Sequence, residues 1–379
     1  MTIIVAPDSF KGNMTAQEAC TAITEGIKQI DSSINIKLFP LADGGEGTAR
    51  IVTEAAGGTL VPVTVHGPLG DPVTAFFGLI NLGRTAILDM ASASGIELVP
   101  PGKLNPLKAS TYGTGELIKA VLDKGVEELL IGIGGSATVD GGIGMLQALG
   151  FEFLDEQGHP VGQGGEALLR IHEIRTDHAD PRLKKVSCKV ACDVTNPLTG
   201  PEGAAAVFGP QKGATPEMVP LLDAGLVKLS QAWIRAGLTD DTDHPGDGAA
   251  GGLGAALRIC LGASIESGAM VVMKYTGMMN ALEHADLVIT GEGRTDSQTT
   301  KGKLCAVVAR VCKDASVPVA LLSGALAGDL DTLLELFDYA VSISNGEETL
   351  ETMIQNGRRN LKFAAANLIR ALHFGKGLH

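Results

Sequence analysis

Aromatic residues are scarce in this 379-residue chain: one Trp, three Tyr and ten Phe. Its core must be built from Ala, Val, Ile and Leu. The six cysteines form no C-x-x-C pair and no His-linked metal spacing, which points to reduced thiols in a cytoplasmic protein. Positive charge is also short: 30 Lys and Arg stand against 43 Asp and Glu, a net charge of −13. A field of that sign excludes nucleic acid and anionic membrane surfaces as natural partners, while a local pocket can still take a small anion. No window approaches the ~18 apolar residues of a membrane span, and Ala315–Ala327 is interrupted by Pro318, Ser323 and Gly324. The first residues, MTIIVAPDSF, lack the basic region of a signal peptide. The expectation is a soluble cytoplasmic protein without a membrane or nucleic-acid partner.

What the chain has is 45% hydrophobic residues, enough length for two domains, and 50 glycines. The glycines have no three-residue period and prolines number only 17, so collagen is excluded. Glycine costs entropy on folding, so an excess calls for a reason.

Strand and helix alternate at the start. Ile3–Ala6 is an apolar run closed by Pro7-Asp8, and Thr15 with Glu18 forms a capping box that opens a helix to about Ile30. A strand over Ile34–Phe39 stops at Pro40, and a helix follows the loop Pro40–Thr48 and ends at Gly57-Gly58. The rhythm then changes: Thr59–His66 and Pro72–Ile80 alternate apolar and polar residues around a Gly-Pro turn, the pattern of an antiparallel pair. Strands over Thr85–Met90, Glu128–Ile133 and Val186–Cys192 alternate with helices, and from Ala285 the βα rhythm returns. The pattern predicts an α/β protein in which a parallel-sheet domain, residues 1–58 plus 285–379, is interrupted by an inserted mixed α/β domain, 59–284.

Ligands of open parallel sheets bind beyond the carboxyl ends of the strands. Three such loops are rich in charge: Asp8, Ser9 and Lys11; Asp43 and Glu46 around Gly44-Gly45; and Glu292, Arg294 and Asp296. Each alone reads as a solvated turn; together on one sheet edge they offer carboxylates to a hard cation such as Mg²⁺. The inserted segment holds the strongest anion signal. A strand runs into Gly134-Gly135-Ser136-Ala137-Thr138 and then Asp140-Gly141-Gly142, where backbone N–H groups, aided by the following helix N-terminus, suit phosphate. Gly132–Ala137 also fits the loose dinucleotide pattern G-x-G-x-x-A, with Glu152 at about the right distance for a ribose. Asp193 follows another strand, placed as a general base or metal ligand, and Lys212 sits in a glycine-flanked turn. The acidic run Asp240, Asp241, Asp243 and Asp247 reads as a solvated loop. P-loop, nucleophile-elbow and zincin motifs are absent.

The strings APDSFKG (6–12), ADGGEGT (42–48), ASTYGTGELI (109–118), IGGSATVDGGIGMLQALG (133–150), ACDVTNPLTG (191–200), FGPQKGA (208–214), GDGAAGGLG (246–254) and TGEGRTDSQTTKGK (290–303) closely resemble those of the bacterial type I glycerate kinases, in family order. The resemblance implies a discontinuous flavodoxin-like domain with an inserted domain and an active site in the cleft. It also implies ATP-dependent, Mg²⁺-assisted phosphorylation of D-glycerate, with 2-phosphoglycerate favoured over 3-phosphoglycerate. Chemistry then distributes the roles. Gly134, Gly135, Ser136, Thr138, Lys212 and Lys301 are assigned to nucleotide phosphates, Asp193 to the base, and Lys11 or Arg294 to the glycerate carboxylate beside Asp8 and Ser9. Asp43, Glu46, Glu292 and Asp296 are the metal candidates. Two other classes stay open: a dinucleotide-dependent oxidoreductase, and a sugar-acid binding module without catalysis.

Overall fold

The computed structural model describes residues 1–42, 44–45, 47–296, 303–327, 330–344, 346 and 349–376. Its strands in chain order are β1 (Thr2–Val5), β2 (Asn35–Leu38), β3 (Thr59–His66), β4 (Pro72–Ile80), β5 (Thr85–Asp89), β6 (Glu128–Gly132) and β7 (Glu152–Leu154). They continue with β8 (Glu173–Arg175), β9 (Ser187–Ala191), β10 (Ser264–Glu266), β11 (Leu287–Glu292), β12 (Val319–Ser323) and β13 (Tyr339–Ser342). Two compact units result: Met1–Asp43 with Ala269–His379, and Gly44–Gly268.

The first unit carries a five-stranded, wholly parallel sheet in the order β13-β12-β11-β1-β2. Numbered within that sheet alone, the order is 2-1-3-4-5, the flavodoxin-like arrangement. Every residue of β11 and β12 is buried, as a parallel sheet covered on both faces requires. The capping box at Thr15 and Glu18 forms as the sequence predicts and opens the helix Ala16–Ile30. That helix lies against Leu350–Lys376 so closely that a Cβ on Gly26 would sit 2.2 Å from Lys362 O. Glycine is required there by contact. Ile3, Val5, Ile23, Ile289, Leu322, Leu361 and Ile369 fill the core between them.

The second unit carries a six-stranded mixed sheet, β10-β9-β6-β5-β4-β3. β10, β9, β6 and β5 pair in parallel; β3 and β4 form the predicted antiparallel pair, and β5 extends it into a meander. Its core joins Phe77, Leu88, Ile131, Leu146, Val190 and Leu229 to Trp233, the single tryptophan and fully buried. A separate two-stranded sheet pairs β7 with β8, with Glu152 opposite Arg175. The short strand β10 had no signal of its own in the sequence, since three residues hold too little pattern to read. Among the described residues, no helix is long and apolar enough to cross a membrane.

Candidate functional site

In the second unit, the carboxyl ends of β5, β6 and β9 are covered by glycine. Gly134 N–H donates to Gly44 O at 3.3 Å. A Cβ on Gly132 would lie 2.6 Å from Gly44 O, one on Gly134 would lie 2.6 Å from Gly45 Cα, and one on Gly44 would lie 2.8 Å from Ala191 O. Side chains would force these chain passages apart. Asp89, at the end of β5 and 2% exposed, accepts the N–H groups of Gly47 (2.9 Å) and Ala49 (3.0 Å). It thereby caps the helix Thr48–Ala55 from a distant strand, since Gly47 itself provides no side-chain cap. Sequence reasoning missed Asp89, although an Asp closing an apolar strand is the same signal that singled out Asp193.

β6 leads into Gly134-Gly135-Ser136. Gly135 is exposed at φ +75°, and among the described residues the N–H groups of Gly135 and Ser136 have no protein acceptor. Two successive open N–H groups at a strand end are a nest for an anion. Beneath them lies charge. Lys212, 2% exposed, donates from Nζ to Ser136 Oγ (2.6 Å) and Thr138 O (2.7 Å). Burial pulls its ammonium down to about 7, partly offset by attraction to Asp140. Thr138 is fully buried, and its Oγ1 has no partner among the described residues.

Asp140 corrects one expectation. The helix Ile143–Ala148 does not lend its N-terminus to an anion, because Asp140 accepts the N–H groups of Gly142 (3.1 Å) and Gly144 (3.4 Å) and Gly141 N–H donates to Gly251 O. The same carboxylate takes Thr111 N–H and Oγ1–H, both at 2.8 Å. Burial raises its carboxyl above the usual range, and these hydrogen bonds oppose the rise. The acidic run needs a second correction: Asp247 is wholly buried, paired twice with Arg258 at 2.8 and 2.7 Å. Only the spatial partner, eleven residues on, makes that carboxylate internal.

Asp193 stands two residues beyond β9, and Gly134 two beyond β6; Gly132 and Ala191 are paired, which brings the base candidate and the phosphate loop level at adjacent strand ends. Asp193 is half-buried and Oδ1 accepts Gly268 N–H at 3.0 Å. Glu152 lies in the two-stranded β7–β8 sheet, outside the sheet that holds β6, where the dinucleotide pattern would need its acidic residue.

In the first unit, the ends of β1, β11 and β12 gather a different set. Asp8 N–H donates to Gly291 O at 2.8 Å, and Ser9 N–H donates to Asp8 Oδ1 at 2.6 Å. Glu292, 8% exposed, accepts from Thr295 Oγ1 at 2.9 Å, and that hydroxyl lies 2.9 Å from Ser323 Oγ. Burial holds the Cys305 thiol well above its ordinary range, and the charges of Glu292 and Asp8 raise it further. Ser9, Lys11 and Arg294 are exposed, and Arg294 Nε lies 3.7 Å from Asp296 Oδ2. Asp43, Glu46 and Lys301 lie outside the described residues.

An α/β fold with a flavodoxin-like sheet, a second parallel run of strands, and strand-end loops offering open N–H groups and carboxylates is an arrangement suited to small anionic ligands. The model of the Glycerate kinase family matches residues 3–373, and the chain belongs to that family. It is 46% identical to a glycerate kinase of Haemophilus influenzae over 99% of both chains, and 42% identical to the glycerate 2-kinase of Escherichia coli K12, again over 99% of each. A solved Salmonella typhimurium LT2 protein, described as a candidate glycerate kinase 2, superimposes with a TM-score of 0.87 at 46% identity, covering 100% of this chain and 99% of that one.

Proposed function

We propose that the protein transfers the γ-phosphoryl group of ATP to the C2 hydroxyl of D-glycerate, giving ADP and 2-phosphoglycerate. The observation that carries this reading is the pair of open N–H groups at Gly135 and Ser136, with Asp193 level with them at the adjacent strand end. In phosphoryl transfer the protein mainly positions the reactants and neutralises charge. Gly134, Gly135 and Ser136 hold nucleotide phosphate oxygens through backbone and hydroxyl donors, with Thr138 and Lys212 supporting them from beneath. Asp193 accepts the proton of the attacking hydroxyl as the new O–P bond forms and the bond to the departing ADP oxygen breaks. Lys11 and Arg294, exposed cations, are the candidates for the glycerate carboxylate, with Asp8 and Ser9 as neighbours in the chain. The enzyme of this reading is cytoplasmic.

Among the described residues, no three His, Cys, Asp or Glu side chains gather as a metal cage. Mg²⁺ on a nucleotide asks for less: one or two carboxylates, with phosphate and water completing its six ligands. Glu292 and Asp296 fit that donor set, and Asp43 and Glu46 are of the same type. Held there, the ion would supply charge neutralisation for the phosphates.

A coupled assay for ADP release with D-glycerate, followed by ³¹P NMR of the product, tests the reading. Glycerate-dependent ADP with a 2-phosphate resonance is expected. Glycerate binding without ADP release would leave a binding module instead.

A further inference from the structure

Lys212 is a costly residue where it stands. An ammonium removed from water is strongly disfavoured unless paired and hydrogen-bonded, and an apolar side chain of similar length would fill the space without that cost. Its turn is fixed by contact: Pro210–Lys212 is a 3₁₀ turn closed by Gly213 at φ +89°, where a Cβ would lie 2.6 Å from Leu104 O. From there Nζ reaches Ser136 Oγ and Thr138 O, two points on the segment that carries the open N–H groups.

We propose that Lys212 is a positioning residue: from beneath, its ammonium ties the hydroxyl of Ser136 and the carbonyl of Thr138, and so holds the Gly134–Thr138 segment in the shape that binds the nucleotide phosphates. This rests on the reading of that segment as the phosphate site. The side chain touches no ligand in this account; it acts through the loop. Asp140 is the charged group acting on it. Asp140 also anchors the far end of the loop through Gly142 and Gly144, so two buried side chains, Lys212 and Asp140, fix both ends of the glycine run. The two short hydrogen bonds from one buried Nζ restrain the loop at two points, and an amine can donate both in either protonation state.

Two measurements test this on the full-length protein. Amide hydrogen exchange of wild type with and without the non-hydrolysable ATP analogue AMP-PNP first tests the loop reading: residues 134–138 should exchange more slowly with the analogue. If they do not, that reading fails and the positioning role falls with it. Lys212→Met is then compared with wild type. Without nucleotide, exchange over 134–138 should quicken while the rest of the map is unchanged. The KM for ATP should rise roughly tenfold or more, with the KM for D-glycerate within about twofold. Unchanged exchange and unchanged KM for ATP in the folded variant, against clear analogue protection in wild type, would overturn the positioning role alone. An equal rise in both KM values would also overturn it, as general loosening. Should Lys212→Met fail to fold, Ser136→Ala cuts the same hydrogen bond from the loop side. Faster nucleotide-free exchange over 134–138 supports the proposal, and unchanged exchange refutes it.

Discussion

At the carboxyl ends of β1 and β11, the side chains suited to a ligand are exposed: Ser9, Lys11 and Arg294 stand in solvent with Asp8 and Glu292 behind them. At the ends of β5, β6 and β9, the exposed element is bare backbone at Gly135, and the charged groups Asp89, Asp140 and Lys212 are buried underneath. Similar parallel strands thus end in two kinds of edge. One presents charged side chains directly; the other presents open backbone N–H groups above buried charged groups. Under the proposed assignment the difference follows ligand chemistry. A three-carbon acid needs a cation, whereas a triphosphate chain is well served by a row of N–H dipoles that brings no bulky side chain near the transferring group.

The comparison breaks first at Asp193. Asp193→Asn keeps the hydrogen-bonding outline but removes the proton acceptor, and kcat should fall by about 10²–10⁴-fold with the fold retained, as seen by circular dichroism and steady-state rates. Turnover near wild type would show that the glycine edge needs no base from β9. Asp140→Ala comes next. It leaves Lys212 buried without its counter-charge and frees four donors, so unfolding in urea should show a loss of about 3–5 kcal/mol. A loss under about 1 kcal/mol would make the buried charge incidental. Gly134→Ala would place a Cβ 2.6 Å from Gly45 Cα. Its kcat/KM for ATP should drop about 100-fold, because a shift near 1 Å in a positioning element is enough.

The smallest effect concerns pH. Burial holds Lys212 at about 7, against 10.5 for a free lysine. Between those values the unfolded chain binds a proton that the folded chain does not, so this group's share of stability rises with pH across that window. Wild type should therefore gain on Lys212→Met between pH 7 and 9, by up to about 1.4 kcal/mol per unit, in urea midpoints taken at each pH. A gap that does not widen would mean the ammonium stays charged in the fold.

Much of this was legible in the residues. Ile3–Ala6 closed by Pro-Asp, the capping box at Thr15, and the return of the βα rhythm after Ala285 were enough to place an insertion between the second and third strands of a parallel sheet. The strand-end positions of Gly134–Ser136 and Asp193 were visible because a polar residue or glycine after an apolar run marks a strand end. Long-range pairing was not visible. Asp247 looked solvated until Arg258 closed on it, and Asp140 looked like part of an anion loop until it capped the helix at Ile143 itself. Such partners are set by tertiary packing, on which composition and local spacing are silent. Asp89 is different: its signal was present in Thr85–Met90 and was passed over.

The division between the two edges is tested most directly by steady-state KM values for both substrates in the double variant Lys11→Ala/Arg294→Ala. These exposed side chains contribute little to stability, so the protein should remain folded. The account predicts a KM for D-glycerate raised by about tenfold or more, with the KM for ATP within about twofold of wild type. An unchanged KM for D-glycerate would contradict it.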